Sequence, residues 1–150
     1  MRVDWTIKHF NQLGTNELYD MIAIRLKVFV VEQNCPYQDL DGKDKTAHHL
    51  LGKIDGNRII ATARILPPGS SYEEISIGRV VLDESLRGMK IGNQLMIEAM
   101  QFIEREFGKK SIRISAQEYL EKFYQSLGFV SLDKRYLEDN IPHVEMIYYP

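Results

Sequence analysis

The sequence predicts an α/β fold in which helices flank a mixed sheet. Three observations lead to this fold class. Apolar residues follow strand and helix spacing in the order strand, helix, strands, helix, strand, helix, strand. A strong hairpin signal, Asp55-Gly56-Asn57, separates two of the predicted strands. An amphipathic helix follows the fourth strand and offers one apolar face to cover the sheet.

Length and composition are those of a globular domain. The chain has 150 residues, of which 44% are apolar and 27% charged, and its net charge is −2. We therefore predict one domain over residues 1–150, with no general surface for nucleic acid or an anionic membrane. Residues 1–10 lack the apolar core of a signal peptide or an anchor. The single cysteine, Cys35, suits a reducing compartment, so the predicted location is the cytoplasm.

The first half of the chain is predicted to contain one helix and three strands. The strands are expected at 5–10, 49–54 and 58–66. Thr15 or Asn16 is expected to cap the helix, which runs to about Val31 before Pro36 breaks the pattern. Residues 38–45 are rich in Asp, Gly and Lys and are expected to form a surface loop.

The second half is predicted to contain two helices and further strands. The strands are expected at 75–82, at 111–116 and in a final β region that begins at Phe129 and has its last strand at 144–149. The helices are expected at about 90–107 and 118–127. The apolar side chains that share one face of the longer helix are Ile91, Leu95, Ala99, Phe102 and Ile103.

The loop between the strand at 75–82 and the longer helix has the character of an anion site. A helix N-terminus has unpaired N–H groups and a positive dipole end, and Arg87 adds a permanent charge beside it. Gly88 and Gly92 let a phosphate approach the backbone closely. Gly78 in the strand indicates a bulge or a ligand lying against the backbone. A plain strand-to-helix turn with a solvated Arg87 would show the same local pattern.

Several blocks, taken in order, carry a family resemblance. The strand–loop–helix at 75–107 and the segment Phe123-Tyr124-Gln125-Ser126-Leu127-Gly128-Phe129 resemble the GNAT superfamily of N-acyltransferases. The blocks similar to its ElaA-type branch are 28–33, 41–42, 61–64, 77–80 and 138–143. Together they span nearly the whole chain, from about 28 to 143.

The resemblance implies the acyl-CoA N-acyltransferase fold, a mostly antiparallel central sheet with one splayed pair of parallel strands. It also implies that acetyl-CoA binds as acyl donor, with its pyrophosphate on the loop and its pantetheine arm along the preceding strand. The residues expected to contact acetyl-CoA are Val80, Val81, Leu82, Arg87, Gly88, Met89, Lys90, Ile91, Gly92, Asn93 and Gln117.

Position 90 departs from the family loop, R/Q-x-x-G-x-G/A, because Lys90 stands where glycine is expected. With helical dihedral angles the lysine would still donate its backbone N–H. A positive φ would strain it. Its ammonium group can instead pair with a phosphate.

Tyr124 and Glu32 are the predicted catalytic residues. The resemblance places the Tyr124 phenol at the thioester sulfur, where it can hydrogen-bond or protonate the leaving thiolate, whereas spacing alone makes it a core aromatic. Glu32 follows the first helix, where the acceptor cleft of this fold lies, and could bind or deprotonate an amine. The other candidate bases are His48, His49, Glu138, Asp139 and His143, and an ordered water chain would also serve.

The residues predicted to bind the acceptor are Tyr37, Arg64, Asp139 and His143. Carboxylates there favour a cationic amine, whereas an arginine favours an acceptor that also carries an acid. Cys35 has no identifiable base partner, so a nucleophilic role is disfavoured. His48 and His49 are adjacent and would point to opposite faces of a strand, so no metal site is predicted.

The predicted function is direct transfer of the acetyl group of acetyl-CoA to a primary amine of a small molecule or peptide. The predicted partners are therefore acetyl-CoA and an amine acceptor. The apolar tail at 147–149 either pairs across a homodimer or closes its own sheet. Two alternatives are a non-catalytic acyl-CoA-binding regulatory module and a nucleotide-binding domain that uses residues 87–92 for ATP. The spacing of a nucleotide-triphosphate loop is absent, which counts against the second.

Overall fold

Two antiparallel sheets form the centre of the molecule. The computed structural model describes residues 2–150, so residue 1 of the predicted domain lies outside the described residues. The strands are β1 (Asp4–His9), β2 (His48–Ile54), β3 (Arg58–Leu66), β4 (Ser76–Leu82), β5 (Ile112–Gln117), β6 (Phe129–Glu138) and β7 (Ile141–Tyr148). The first sheet has the order β1-β2-β3-β4 and the second has the order β5-β7-β6. Neighbouring strands within each sheet are antiparallel.

The two sheets meet where β4 and β5 start side by side. Ile75, just before β4, forms a parallel bridge with Ile112, and the Arg113 N–H donates to the Ile75 carbonyl at 2.9 Å. Beyond this bridge, no residue of β4 pairs with β5 in the described chain. The strands therefore separate toward their carboxyl ends. This is the splayed parallel pair that the resemblance implies.

Helices cover the sheets at α1 (Thr15–Leu26), α2 (Ile91–Phe107) and α3 (Glu121–Ser126). All five side chains predicted to form the apolar face of α2 are buried: Ile91, Leu95, Ala99, Phe102 and Ile103. The larger hydrophobic cluster includes Leu50 and Ile65 of the first sheet and Ile114 and Met146 of the second. Each fully buried side chain of this kind contributes about 1.5–3 kcal/mol. No helix within residues 2–150 is both long and apolar enough to cross a lipid bilayer.

The start and the end of α1 differ from the prediction. Gly14 is the N-cap, rather than Thr15 or Asn16, and its N–H donates to Glu17 Oε1 at 2.9 Å. The glutamate in the first turn thus satisfies the backbone before the helix, so a Ser/Thr-type cap is not needed. The α-helix ends at Leu26 and continues as a π-helix over Lys27–Glu32. π-Helical turns are rare in proteins, and those that do occur often lie at functional sites.

Residues 38–45 lie mostly at the surface, as predicted, but two carboxylates of this loop are buried. Asp39 and Asp44 within it are only 2% and 5% exposed. Arg25 Nε donates to Asp39 Oδ2 and Arg25 Nη1 donates to Asp44 Oδ1, both at 2.9 Å. The segment is polar, but ion pairs with a helix residue earlier in the chain bury its carboxylates. Composition alone does not indicate this burial, because the partner, Arg25, is distant in sequence.

The carboxyl-terminal hairpin begins at Phe129, as predicted, but its last strand starts earlier, since β7 begins at Ile141 rather than at 144. Asp139 and Asn140 join β6 to β7 with φ of 49° and 66°, the left-handed values of a tight hairpin turn. β7 is the central strand of its sheet, and Ile147 pairs with both Arg113 and Val130. The tail therefore closes its own sheet, one of the two predicted outcomes, and a homodimer stays a prediction.

Candidate functional site

A cleft of about 1040 Å³ opens where β4 and β5 separate. The predicted site residues that line it are Glu32, Tyr37, Arg64, Val80, Val81, Leu82, Arg87, Gly88, Lys90, Ile91, Gly92, Asn93, Gln117, Tyr124, Asp139 and His143. Met89 is not among the lining residues and is 54% exposed. The splay thus brings all but one of the predicted residues around one cavity.

The β4 wall of the cleft contains a bulge. Gly78 pairs with Arg64 and Val81 pairs with Thr62, so two β4 residues, at 79–80, lie opposite a single residue of β3. Arg79 has φ 48°, whereas Gly78 has no positive φ. The bulge predicted near Gly78 is confirmed one residue further along the strand. Because β5 has already diverged, an extended ligand that carries amide groups can pair with the free backbone edge of β4.

The N-terminus of α2 forms the edge of the cleft next to β4. Lys90 is the N-cap, no side chain caps the helix, and the first turn contains no acidic residue. The N–H groups of this turn and the helix dipole therefore favour an anion. A Cβ added at Gly92 would meet only Phe123, at 3.8 Å. The fold itself leaves space beside the first turn.

Lys90 adopts the conformation that is unfavourable for lysine. Its φ is 61° and its ψ is 18°, in the left-handed region. A non-glycine residue there costs about 1–2 kcal/mol relative to the right-handed region. The side chain is exposed, so it adds a positive charge beside the unpaired N–H groups, which glycine would not.

Arg87 connects the loop to the opposite rim of the cleft. Its Nη1 lies 2.7 Å from Glu32 Oε2, and its Nη2 donates to the Leu82 carbonyl at 3.0 Å. The Arg87 side chain is 43% exposed, and solvent-exposed pairs of this kind contribute only about 0–1 kcal/mol. The residue predicted for the pyrophosphate and one residue predicted for catalysis thus neutralise each other in this structure.

Two more contacts cross the cleft from the same segment. Gln33 Nε2 donates to Gln117 Oε1 at 3.3 Å, and Gln117 Nε2 donates to Gln33 Oε1 at the same distance. The Cys35 thiol donates to the Asp139 carbonyl at 3.4 Å, and Cys35 is 8% exposed. We call residues 32–35 the strap, because they link the α2 loop, the end of β5 and the β6–β7 turn.

Six charged side chains form a cluster beside the cleft, and we call them the Arg–Asp network: Arg25, Arg64, Arg79, Asp39, Asp41 and Asp44. Arg64, Arg79 and Asp41 line the cleft, and the other three are buried behind them. Arg64 Nη1 lies 2.8 Å from Asp41 Oδ1 and 3.1 Å from Asp44 Oδ1. Arg79 Nε lies 2.9 Å from Asp39 Oδ1. The formal charges of the network cancel. Both Nη atoms of Arg64 are engaged, so only its buried Nε lacks a partner within the described chain.

The surroundings of the Arg–Asp network shift two pKa values in opposite directions. Burial would raise the pKa of Asp41, but hydrogen bonds and charge from Arg64 outweigh it and lower the pKa to about 2. Burial and the hydrogen bond to Asp39 raise the pKa of Tyr37, whose hydroxyl donates to Asp39 Oδ1 at 2.5 Å. Asp41 therefore stays ionised and Tyr37 stays protonated at neutral pH.

His143 lies in the wall formed by the second sheet and is held on both ring edges. Its Nδ1 is 2.7 Å from the Ile141 carbonyl oxygen, and its Nε2 is 3.3 Å from Glu138 Oε2. The ring stacks on Tyr136 with centroids 6.0 Å apart and planes 18° apart. The Tyr136 hydroxyl in turn forms a hydrogen bond with the Ser115 hydroxyl.

Tyr136 and Ser115 are functional-site neighbours that sequence reasoning did not identify. The alternation along β5 could have indicated Ser115, since Ser115 and Gln117 fall on the same, polar side of that strand. No local pattern indicates Tyr136, because its position depends on pairing with His143 across the hairpin.

Tyr124 is both a core aromatic and a cleft residue. It is 6% exposed, and its ring lies against those of Phe123 and Phe129, with centroids 5.1 and 6.0 Å away. Burial raises the pKa of its phenol, which therefore stays protonated at neutral pH. A place in the core, which the spacing predicts, is therefore compatible with a place at the cleft, which the resemblance implies.

The adjacent histidines lie away from the cleft. Neither His48 nor His49 lines it, and His49 Nε2 lies 3.0 Å from the Asp44 carbonyl oxygen. Burial lowers the pKa of both rings. Across residues 2–150, no three His, Cys, Asp or Glu side chains are grouped as a metal site.

Known proteins resemble this chain over nearly its whole length. A family model described as an acetyltransferase (GNAT) domain matches residues 16–149. Protein ElaA of Escherichia coli K12 is 42% identical over 146 residues, which cover 96% of this chain and 95% of the relative. A UPF0039 protein of Schizosaccharomyces pombe is 39% identical over 145 residues, with 96% and 95% covered.

Solved structures of similar proteins indicate the same family as these relatives. The crystal structure of an acyl-CoA N-acyltransferase from Pseudomonas aeruginosa has a TM-score of 0.92 and 42% identity, and the match covers 98% of this chain and 99% of that chain. Escherichia coli ElaA has a TM-score of 0.91 and 40% identity, with the same coverage. These matches support an acyl-CoA-dependent acyltransferase. With the splayed sheets and the cleft described above, they show that the chain belongs to the GNAT acetyltransferase family.

Proposed function

We propose that this protein transfers the acetyl group of acetyl-CoA directly to a primary amine of a small molecule or peptide. The observation that carries the proposal is that one cleft combines the β4 bulge, the uncapped N-terminus of α2 and the buried Tyr124 phenol. Membership of the GNAT acetyltransferase family supports the acyl-CoA donor.

In this proposal the donor binds mainly to main-chain groups of the protein. Its pyrophosphate takes the N–H groups at 88–93 together with Arg87 and the Lys90 ammonium group, while its pantetheine amides pair with β4 at 80–82. Gln117 at the end of β5 contacts the donor from the other wall. Arg87 must then exchange Glu32 for a phosphate, which frees the Glu32 carboxylate for the proposed catalytic role of binding or deprotonating the amine.

The chemistry rests on positioning the amine against the thioester. The neutral amine attacks the carbonyl carbon, a C–N bond forms, and the C–S bond breaks as CoA leaves as a thiolate. A thiol has a pKa of about 8.5, so complete proton transfer from a buried phenol is uphill. Tyr124 therefore acts as a hydrogen-bond donor that stabilises the thiolate. Tyr37, Arg64, Asp139 and His143 are proposed to line the acceptor side.

The first experiment is calorimetric titration with acetyl-CoA, with ATP as the comparison ligand, followed by an acetylation screen of primary amines. We expect one acetyl-CoA per chain, little response to ATP, and turnover of at least one amine. Equal competition by ATP would indicate a nucleotide-binding domain. Acetyl-CoA binding without turnover of any amine would indicate a regulatory module.

The role of Tyr124 is tested by Tyr124→Phe. We expect turnover to fall by about a hundredfold, within the range of acid–base and hydrogen-bond catalysis, while the Kd of acetyl-CoA changes by less than about threefold. Tyr19→Phe is the matched control, because Tyr19 is 74% exposed on α1 and does not line the cleft. If turnover and donor affinity fell together, Tyr124 would be a packing residue.

A further inference from the structure

Both ring nitrogens of His143 face oxygen atoms that accept hydrogen bonds. The Ile141 carbonyl can only accept, and its oxygen lies 2.7 Å from Nδ1, so Nδ1 carries a proton. In the neutral ring the lone pair is therefore on Nε2, which faces Glu138 Oε2 at 3.3 Å. A lone pair and a carboxylate do not attract each other. The arrangement calls for a shared proton or for an N–H donor supplied by a ligand.

Two carboxylates of the cleft, Glu138 and Asp139, have no arginine or lysine partner within residues 2–150, and Glu138 is the one that contacts His143. Glu32 is paired with Arg87, and Asp41 is paired with Arg64. The ion-pair partner of Glu138 within residues 2–150 is His143, and its side chain is 53% exposed. When His143 is neutral, Glu138 therefore presents an unbalanced negative charge to the cleft, which favours a cation.

The position of the pair suits an acceptor site. His143 lies opposite Gln117, the last residue of β5, at the open end of the splay. His143 is only 6% exposed, and the stacked Tyr136 ring and the Ile141 carbonyl fix the imidazole from two sides. Nε2 is thus held in place beside Glu138, and both side chains line the cleft.

We propose that His143 Nε2 and Glu138 together form the binding site for the acceptor's ammonium group, and that Nε2 takes its proton. This inference rests on the proposed amine acetylation and assigns the proton acceptor within it. It also narrows the substrate class to alkylamines, which are cations at neutral pH, rather than arylamines, which are not.

The proposed reaction begins at the bound ammonium group. The ammonium donates to Nε2 and to Glu138, one proton moves to Nε2, and the freed lone pair attacks the thioester carbon. The resulting imidazolium keeps both N–H groups satisfied, by Ile141 and Glu138. The second proton leaves the nitrogen for solvent water after the C–N bond forms and as the C–S bond breaks. CoA leaves as a thiolate that accepts a hydrogen bond from Tyr124, and the proton on His143 passes to solvent.

Several titratable groups of the surrounding elements face this pair. They are Tyr136 and Glu138 of β6, Asp139 of the turn, Glu145 of β7 with its partner Arg113, Tyr72 before β4, and Glu118 and Tyr119 after β5. Glu145 and Glu118 are already paired with arginines, Arg113 and Arg135. Burial and the nearby Tyr136, Glu145 and Glu138 raise the pKa of Tyr72, which stays neutral. Glu138 is thus the charge in direct contact with the ring.

The test is His143→Asn, assayed from about pH 6 to 10 with n-butylamine and 1,5-diaminopentane as acceptors and aniline as the arylamine comparison. Asparagine can keep the donor to Ile141 but lacks Nε2. Wild-type kcat/KM is expected to level off near neutral pH. The variant is expected to lose about a hundredfold at neutral pH and to rise about tenfold per pH unit toward the pKa of the amine, because only free amine then reacts.

The matched control is His9→Asn, because His9 is an N-cap outside the cleft that asparagine can replace. Acetyl-CoA affinity is expected to be unchanged in both variants. Glu138→Gln is expected to raise KM for the alkylamines more than it lowers kcat. A His143→Asn variant with a wild-type pH profile, or with the same loss at every pH, would overturn the assignment.

A second measurement separates this inference from the proposed function. Nitrogen-15 NMR of the histidine rings in the full chain is expected to show a proton on His143 Nδ1, and to show its Nε2 signal shift when n-butylammonium is added. If wild-type protein acetylates none of the amines, the proposed function fails, but this signal still reports the ammonium site. A proton on Nε2 alone, or no shift with the ammonium, would overturn the inference.

Discussion

The two halves of the cleft are built from different materials. The half proposed to bind the donor, residues 79–93, is formed mainly by main-chain groups: the bulge of β4, the turn at Gly88 and the uncapped start of α2. The half proposed to bind the acceptor is formed by side chains, the Arg–Asp network and the His143–Glu138 pair. We call them the donor half and the acceptor half. Main-chain groups can bind a common cofactor whatever the nearby side chains are. Side chains of the acceptor half would determine which acceptor fits.

The halves also differ in what holds them in place. The donor half depends on backbone geometry and includes two non-glycine residues with left-handed φ, Arg79 and Lys90. The acceptor half depends on buried charges that compensate each other, with Arg25 only 1% exposed. Damage to the first is therefore expected to affect binding, and damage to the second is expected to affect folding.

The largest expected effect comes from Arg25→Met. The substitution removes the arginine that bridges Asp39 and Asp44, so each buried carboxylate keeps only one arginine, Arg79 for Asp39 and Arg64 for Asp44. Breaking a buried ion pair in this way costs about 3–5 kcal/mol. Urea unfolding should show this loss in the free energy of unfolding. Arg58→Met, at an exposed position of β3, is the control and should change little. A loss below about 1 kcal/mol would mean that the Arg–Asp network does not hold the acceptor half.

A smaller effect, confined to binding, is expected from Gly92→Asp. The fold has room for the side chain, since a Cβ would meet only Phe123 at 3.8 Å. A carboxylate in the first turn suits the helix dipole, so stability should not fall. Repulsion of the donor phosphates should weaken acetyl-CoA about 10- to 100-fold, measured by calorimetry. Gly92→Ala separates crowding from charge. Unchanged affinity in the aspartate variant would remove the α2 N-terminus from the donor site.

The smallest expected effect is a pH dependence of the acceptor half. The pKa of Asp41 is lowered to about 2 from 3.8, so its contribution to stability is complete above 3.8 and is lost as the pH falls through about 2. Asp41→Asn should therefore be less stable than wild type near neutral pH, and this difference should shrink in acid. Urea unfolding at about pH 6 and about pH 2 measures it. A difference that stays constant would contradict the ionised state of Asp41.

The contrast between the halves also explains what could be predicted from sequence. The α2 face, the β2–β3 hairpin and the donor loop follow local patterns, in which neighbours in sequence are neighbours in space. Position 90 could be identified as a departure, but only the structure shows its positive φ.

The acceptor half could not be predicted in the same way. The carboxylates of Asp39 and Asp44 are buried because Arg25 reaches them from α1, and no local signal in 38–45 indicates this. Arg64 was expected to be free for a substrate acid, yet Asp41 and Asp44 hold its Nη atoms. His143 was identified, but its partner Tyr136 depends on strand pairing. Long-range ion pairs and cross-strand contacts leave little trace in the order of residues.

The strap couples donor binding in one half of the cleft to acceptor binding in the other half. Arg87 cannot use the same Nη1 for Glu32, 2.7 Å away, and for a donor phosphate. In the proposed function, donor arrival therefore uncovers the Glu32 carboxylate on the rim, and an ammonium meets a more negative entrance than it would have met before. This favours a compulsory order of binding, in which acetyl-CoA enters first and the amine second.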